Sequence, residues 1–473
     1  MVRGENMKKL ILMFVFVFLA SNSGAVDIGD NLTISGKVKN ETSTRTGDMG
    51  DFQKIENTVE LGAEYRMKDN LQFFFLTRYF YDAVYDAESK YEPLKQYDNL
   101  AWPRDSEFWL REAYVDYFSD RLDVRLGKQQ VVWGTADGVK ILDAICPTDM
   151  REFTLDNFAD SRIPLWMAKI ELSPKTNSTA QILLIPDFES NYIGPNGSPF
   201  TFRASEKGAE NAMAWGMAGG NIVREKTDRP DDWENWSLGF RWLHVYKGFE
   251  YSLNYFYGFY YSGAHYSWFE PPLMGPPNPA VNVLHLQTRY ERTYLYGGSF
   301  SKTITQGFLS GLTIRGEFAY IHDVPAYYGT DGQPKGVVKV DNYNYVLGFD
   351  KYVASNWLAS FQFIQMISSK SRYKGYTMLS SPTLGPSDQV ETILSLKVAT
   401  DFFYERVKPE VLALYGFNTK HIGGWRISPK IGFDVTDHWD VNIGANVFGG
   451  DEQNIFGEFG KNDQVFIEVI YGF

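Results

Sequence analysis

The chain has 473 residues, with 46 basic against 58 acidic side chains, a formal charge of −12 and one cysteine. The charge argues against nucleic acid as a partner, and the lone Cys146 excludes an intrachain disulfide framework. Aromatic residues make up 16% of the chain while mean hydropathy is only −0.31, a mixture that arises when lipid-facing apolar side chains alternate with wet lumen side chains.

Residues 1–25 read as a secretory signal peptide. Lys8 and Lys9 open it, 10–20 is an apolar run, and Ser23, Gly24 and Ala25 supply the small residues of a cleavage site. No later run is long and apolar enough for a membrane helix. Residues 26–473 instead carry alternating runs of about ten to fourteen residues, separated in turn by short polar turns and long loops. Period-two alternation marks strands. The short–long rhythm marks an outer-membrane barrel with tight periplasmic turns and long extracellular loops.

The spacing predicts strands over 31–45, 55–67, 71–83, 108–118, 122–133, 165–173, 179–185, 236–246 and 249–261. The second half predicts them over 284–302, 309–321, 338–352, 357–367, 389–401, 406–415, 424–435, 439–448 and 464–473. The fold class is therefore all-β: a transmembrane antiparallel β-barrel of about 18 strands, with 16 as the alternative if the first or seventh run fails. In 55–67, Val59, Leu61, Ala63, Tyr65 and Met67 share one face, and Glu56, Glu60, Glu64 and Arg66 the other. Alternation breaks at Arg111–Glu112 and at Lys128, which predicts a bulge near Gly127. Arg292 falls among apolar neighbours, and a phase slip is expected near Asn342. Trp109, Trp236 and Trp425 stand at outer strand ends, and Trp357 and Trp439 beside periplasmic turns, as interfacial anchors do. The last run places Val465, Ile467, Val469, Tyr471 and Phe473 on one side. It resembles the closing strand of bacterial outer-membrane barrels, whose terminal Phe is read by the barrel-assembly machinery.

No enzyme, cofactor or metal site is expected, because the six histidines form no catalytic or metal-ligating spacing. The chemistry belongs to the lumen. Parity assigns to it the pore-lining candidates Glu60, Glu64, Arg66, Arg78, Arg241, Arg315, Glu317, Lys397, Arg426 and Lys430. Such charges select solutes by size and field. The loop 134–162 carries an apolar stretch (Val139, Ile141, Leu142, Ala144, Ile145) among Asp137, Lys140, Asp143, Asp149 and Arg151. That stretch needs a place to bury. The barrel interior would make the loop a constriction; the alternative is a packed surface lid.

Residues 110–116 (LREAYVD), 125–134 (RLGKQQVVWG), 136–138 (ADG) and 149–153 (DMREF) resemble a family of Gram-negative outer-membrane barrels catalogued under a domain of unknown function. The first two segments are also similar to alginate-export porins. The resemblance implies residence in the cell outer membrane, among its lipid and lipopolysaccharide, and a transport role. The leading expectation is a porin, monomeric or homotrimeric, passing small hydrophilic solutes or ions. The alternatives are a dedicated export or import barrel for an apolar or polymeric substrate with periplasmic partners, and a non-conducting structural or adhesive barrel.

Overall fold

The computed structural model describes residues 25–47, 50–102, 109–230, 234–271, 277–330, 333–369, 377–379, 390–419 and 422–473. The expected signal peptide lies, but for Ala25, outside the described residues. Among those described, twenty strands share one sheet; two are the short segments Val26–Ile28 and Thr377–Leu379. The other eighteen form the barrel. They are β1 (Leu32–Arg45), β2 (Phe52–Lys68), β3 (Leu71–Asp82), β4 (Leu110–Phe118), β5 (Leu122–Gln129) and β6 (Leu165–Lys175). Next come β7 (Ser178–Ile185), β8 (Ser237–Tyr246), β9 (Phe249–Phe259), β10 (Arg292–Thr303), β11 (Thr313–Thr330) and β12 (Gln333–Ala354). The last are β13 (Trp357–Ser368), β14 (Val390–Ala399), β15 (Val407–Asn418), β16 (Gly423–Asp434), β17 (Trp439–Gly450) and β18 (Gln464–Gly472).

Each strand pairs antiparallel with the next, and β18 pairs back onto β1, with Lys37 opposite Gly472 and Arg45 opposite Gln464. Closure is what an apolar surround demands, since an open edge would leave a row of backbone N–H and C=O groups unpaired. The pleat then sorts the sequence. On β2, Leu61, Tyr65 and Met67 are exposed on the outer wall, while Thr58 and Glu60 are buried inside.

The strands depart from the expected spacing in several places. The run 284–302 is two strands: Val283–Arg289 joins Ala264–Glu270 and Asn221–Arg224 in a separate three-stranded sheet, and the barrel resumes at Arg292. Arg292 tolerates its apolar row because its guanidinium stacks 3.8 Å from the Phe259 ring centre and donates to the Trp236 carbonyl at 2.8 Å. The register of β3 on β4 shifts at Arg111, so the bulge faces β3. Gly127 does not shift its own register, but it sits at φ +136°, and a Cβ there would lie 2.1 Å from the Ala113 carbonyl oxygen. The slip expected near Asn342 lies on the facing strand, where His322 and Asp323 bulge out of the pairing. Finally, β11 and β12 continue to Thr330 and from Gln333, well beyond the roughly ten residues needed to cross a bilayer.

The wall strand expected to reach Trp133 ends at Gln129. From there the chain turns into the barrel. The largest apolar cluster of the protein is inside: Trp133, Ile141, Leu142 and Ile145 of this loop pack with inward-facing Leu183, Leu295, Ala319, Val346, Ile364, Ile393 and Leu414 of the wall.

Candidate functional site

The loop between β5 and β6 crosses the lumen. Ile141, Leu142 and Ile145 are almost fully buried, and burying each such side chain contributes about 1.5–3 kcal/mol. Backbone groups taken out of water need partners, and the wall supplies them. Glu317 of β11 accepts from the Thr135 backbone N–H, from Thr135 Oγ1 at 2.9 Å and from the Leu142 N–H at 3.1 Å. Gln362 of β13 accepts from the Asp137 N–H at 3.0 Å and donates to Asp137 Oδ2 at 2.9 Å. Arg315 donates to the Thr135 carbonyl and to Asp137, and pairs with Asp350 at 2.7 Å. Gly138 makes the turn against the wall at φ +80°, with room for a Cβ only 3.2 Å from Leu414 Cδ2. Elsewhere around the barrel, Tyr261 Oη donates to the Ile145 carbonyl at 2.9 Å and Trp133 Nε1 to Gln181 at 2.7 Å.

The far end of the loop is held by charge. Lys54 of β2 pairs with Glu152 at 2.7 Å, Arg78 of β3 with Asp160, and Arg426 of β16 donates to the Thr154 carbonyl at 2.8 Å. Arg111 of β4 donates to the carbonyls of Ala159 at 2.6 Å and Asp160 at 3.0 Å. The loop therefore has an apolar side against β7 and β10–β15, pinned there by Arg315, Glu317 and Gln362, and a charged side toward β16 and β1–β4.

The ten pore-lining candidates divide accordingly. Arg78, Arg315, Glu317 and Arg426 hold the loop, and Arg241 donates to the Val132 carbonyl at 3.5 Å. Glu60 bridges Arg78 and Lys37. Lys397 and Lys430 share Glu410 at 3.3 and 3.0 Å on the wall. Glu64 and Arg66 form a half-exposed pair near the short-turn end. Among the loop candidates, Asp137 meets the wall, Asp143 pairs with Arg162 within the loop at 2.7 Å, and Asp149 pairs with Arg151. Lys140 donates to Thr148 at 3.0 Å, and burial pushes its ammonium down to about 8 against the pull of Asp143. Burial opposes ionisation of Asp149, but the Arg151 guanidinium outweighs it and holds the carboxyl below its ordinary range.

Sequence reading missed Lys37, Lys39, Glu41 and Lys54 of β1 and β2, although Lys37, Lys39 and Glu41 share one parity. It also missed Gln362, whose neutral side chain carries no signal in a charge-based search. On the charged side lie two of the cavities among the described residues. The deeper one is lined by Lys37, Lys39, Arg78 and Arg111, the one nearer the long loops by Ser43, Gln53, Lys54 and Gln464. Both include Glu56, Asp149, Arg151 and Asp156.

An aromatic clasp joins the lumen loop to the long-loop end. Phe153, at φ +56°, lies 4.6 Å from Phe459 and 6.1 Å from Phe202, ring centre to ring centre. A left-handed Phe is strained and persists only where its surroundings fix it.

A family model described as protein of unknown function (DUF1302) matches residues 20–473. No curated protein matches the chain. Among solved outer-membrane porin barrels, it is similar to OccK11 (OpdR) of Pseudomonas aeruginosa at 10% identity and TM-score 0.50, over 95% of this chain and 97% of that one. It is similar to Acinetobacter baumannii OccAB4 at 9% identity and TM-score 0.50, over 94% and 97%. It is likewise similar to P. aeruginosa OccK2 (OpdF), solved in complex with glucuronate, at 10% identity and TM-score 0.50, over 95% and 99%. At these identities the likeness is one of fold.

Proposed function

The chain belongs to the family described as protein of unknown function (DUF1302), and on that premise we propose that it is an outer-membrane channel for small hydrophilic solutes or ions. The observation that carries this reading is the two-sided loop. Its apolar face is sealed to one wall and its charged face leaves the two cavities beside β1–β4. Most charges there are paired, as in Lys37–Glu60 at 2.8 Å and Lys39–Glu41 at 3.3 Å. A narrow, wet, mixed-charge path discriminates by size and hydrogen bonding more than by net charge. In this reading 1–25 directs export, the barrel-assembly machinery inserts the chain among outer-membrane lipid and lipopolysaccharide, the long loops face outward, and no catalytic step is involved.

A barrel for apolar or polymeric substrates would need aromatic side chains free in the lumen. Phe256 packs edge-on against Trp133 of the loop at 6.4 Å, and Phe80 lies 5.2 Å beneath Arg151. Phe256 is thereby committed to holding the loop, and Phe80 shares its cavity with Lys37, Lys39, Arg78 and Arg111, a setting that favours hydrophilic solutes. The test is single-channel conductance of the refolded chain from residue 26 in a planar bilayer under a salt gradient. Steady openings, enlarged when residues 137–146 are deleted, are expected. A folded barrel that conducts in neither form would overturn the channel reading and leave the structural or adhesive one.

A further inference from the structure

The cavity nearer the long loops holds a group of polar atoms that the protein itself does not use. Ser43 opposes Lys54 and Thr44 opposes Phe52, so Gln53 is the extra residue of a β-bulge. Successive side chains of a strand normally point to opposite faces. The bulge instead turns both Gln53 and Lys54 into the lumen, where they are 3% and 5% exposed. Lys54 is fully engaged, with Glu152 at 2.7 Å and Glu41 at 3.0 Å. Gln53 is not: its Oε1 and Nε2 have no hydrogen-bond partner among the described residues. The same holds for Ser43 Oγ, 2% exposed, and for Gln464 Oε1, 5% exposed. All three residues line one cavity, at the seam where β1, β2 and β18 meet, and Tyr85 and Phe200 add rings to its wall.

Buried amides and hydroxyls left unpaired are costly, and a cluster of them facing one cavity calls for a partner from outside the chain. What they offer is neutral. Gln53 gives a donor and an acceptor, Ser43 either, Gln464 an acceptor, and the charged lining sets Lys54 and Arg151 against Glu56, Asp82, Asp149, Glu152 and Asp156, an acidic balance that turns away anions and accepts from hydroxyl groups. Rings beside uncharged hydrogen-bonding groups suit a solute with hydroxyl groups on a carbon ring. We propose that Gln53, Ser43 and Gln464 form a binding subsite for the hydroxyl-bearing end of an uncharged, sugar-class solute, placed where the lumen path begins. The subsite takes its transport role from the channel reading, but its binding can be measured alone.

The experiment is isothermal titration of D-glucose into the detergent-folded barrel, with conductance recorded on the same preparation. Wild type should bind glucose. Gln53→Met, which keeps the length and removes the amide, should weaken binding about tenfold, and Ser43→Ala about threefold. Ser43→Ala removes a single oxygen and reports if the Gln53 variant fails to fold. Absence of glucose binding by the wild type, or equal binding by both folded variants, would show that only water meets these atoms and would overturn the subsite. Conductance without glucose binding rejects the subsite alone; glucose binding without conductance rejects the channel alone.

Discussion

Glu317 does more for the lumen loop than any other single wall residue, because its carboxylate, 3% exposed, satisfies two loop backbone N–H groups and a hydroxyl. Hydrogen bonds to a charged group are worth about 1.5–3 kcal/mol each, and stranded buried donors add their own penalty. Glu317→Ala should therefore release the stretch 134–143. Single-channel records should show a larger mean conductance and frequent current fluctuations. Glu317→Gln keeps one acceptor oxygen and should give an intermediate trace. Quiet, wild-type records from Glu317→Ala would mean the loop is held by its apolar side alone. The direction of Glu317 was legible, since strand parity puts it opposite exposed Phe318. Its partners were not, because a loop's backbone N–H groups follow no period that a sequence displays.

Elements show the same division between periodic and aperiodic information. Strands β3, β8 and β13 could be read almost to the residue, whereas the clasp around Phe153 could not: nothing in the sequence marks a Phe for the left-handed region. The clasp includes the short helix Gly457–Phe459 of the loop before β18, which also carries Glu458. Its Oε2 accepts from the Arg203 N–H at 3.1 Å, at the start of the helix Arg203–Met217, while Oε1 is buried without a partner among the described residues. Burial pushes this carboxyl up from its ordinary 4.5 to about 7, against the pull of Arg203. A carboxyl raised on folding stabilises below its unfolded pKa and loses that contribution as pH climbs through the folded value. Protection of the amides of 451–463 from hydrogen exchange should thus be greater at pH 5 than at pH 8. Glu458→Gln should flatten the dependence. A pH-independent wild type, or a variant that keeps the slope, would place the titration elsewhere.

At the scale of the whole molecule, the barrel depends on one seam between residues at opposite ends of the chain. β18 meets β1 across its length, and the last residue adds two bonds of its own: the Gly36 N–H donates to the Phe473 carbonyl at 2.8 Å, and the Phe473 N–H to the Gly36 carbonyl at 3.0 Å. The terminal ring lies over Gly36, where a Cβ would come within 2.2 Å of it. Every other pair of barrel strands is joined through its connecting segment, so this seam alone closes without a covalent link. Unpaired backbone groups at such an edge cost several kcal/mol each in hydrocarbon. Removing Phe473 should therefore lower the amount of barrel assembled in the outer membrane about tenfold, read as the heat-modifiable band of membrane extracts. Gly36→Ala should be milder, because the displaced ring can turn about its own side-chain torsions while both backbone bonds remain. Wild-type levels of assembled barrel without Phe473 would show that the β1–β18 ladder closes the molecule unaided. A defect equal in both variants would instead assign the effect to the packing of the ring on Gly36.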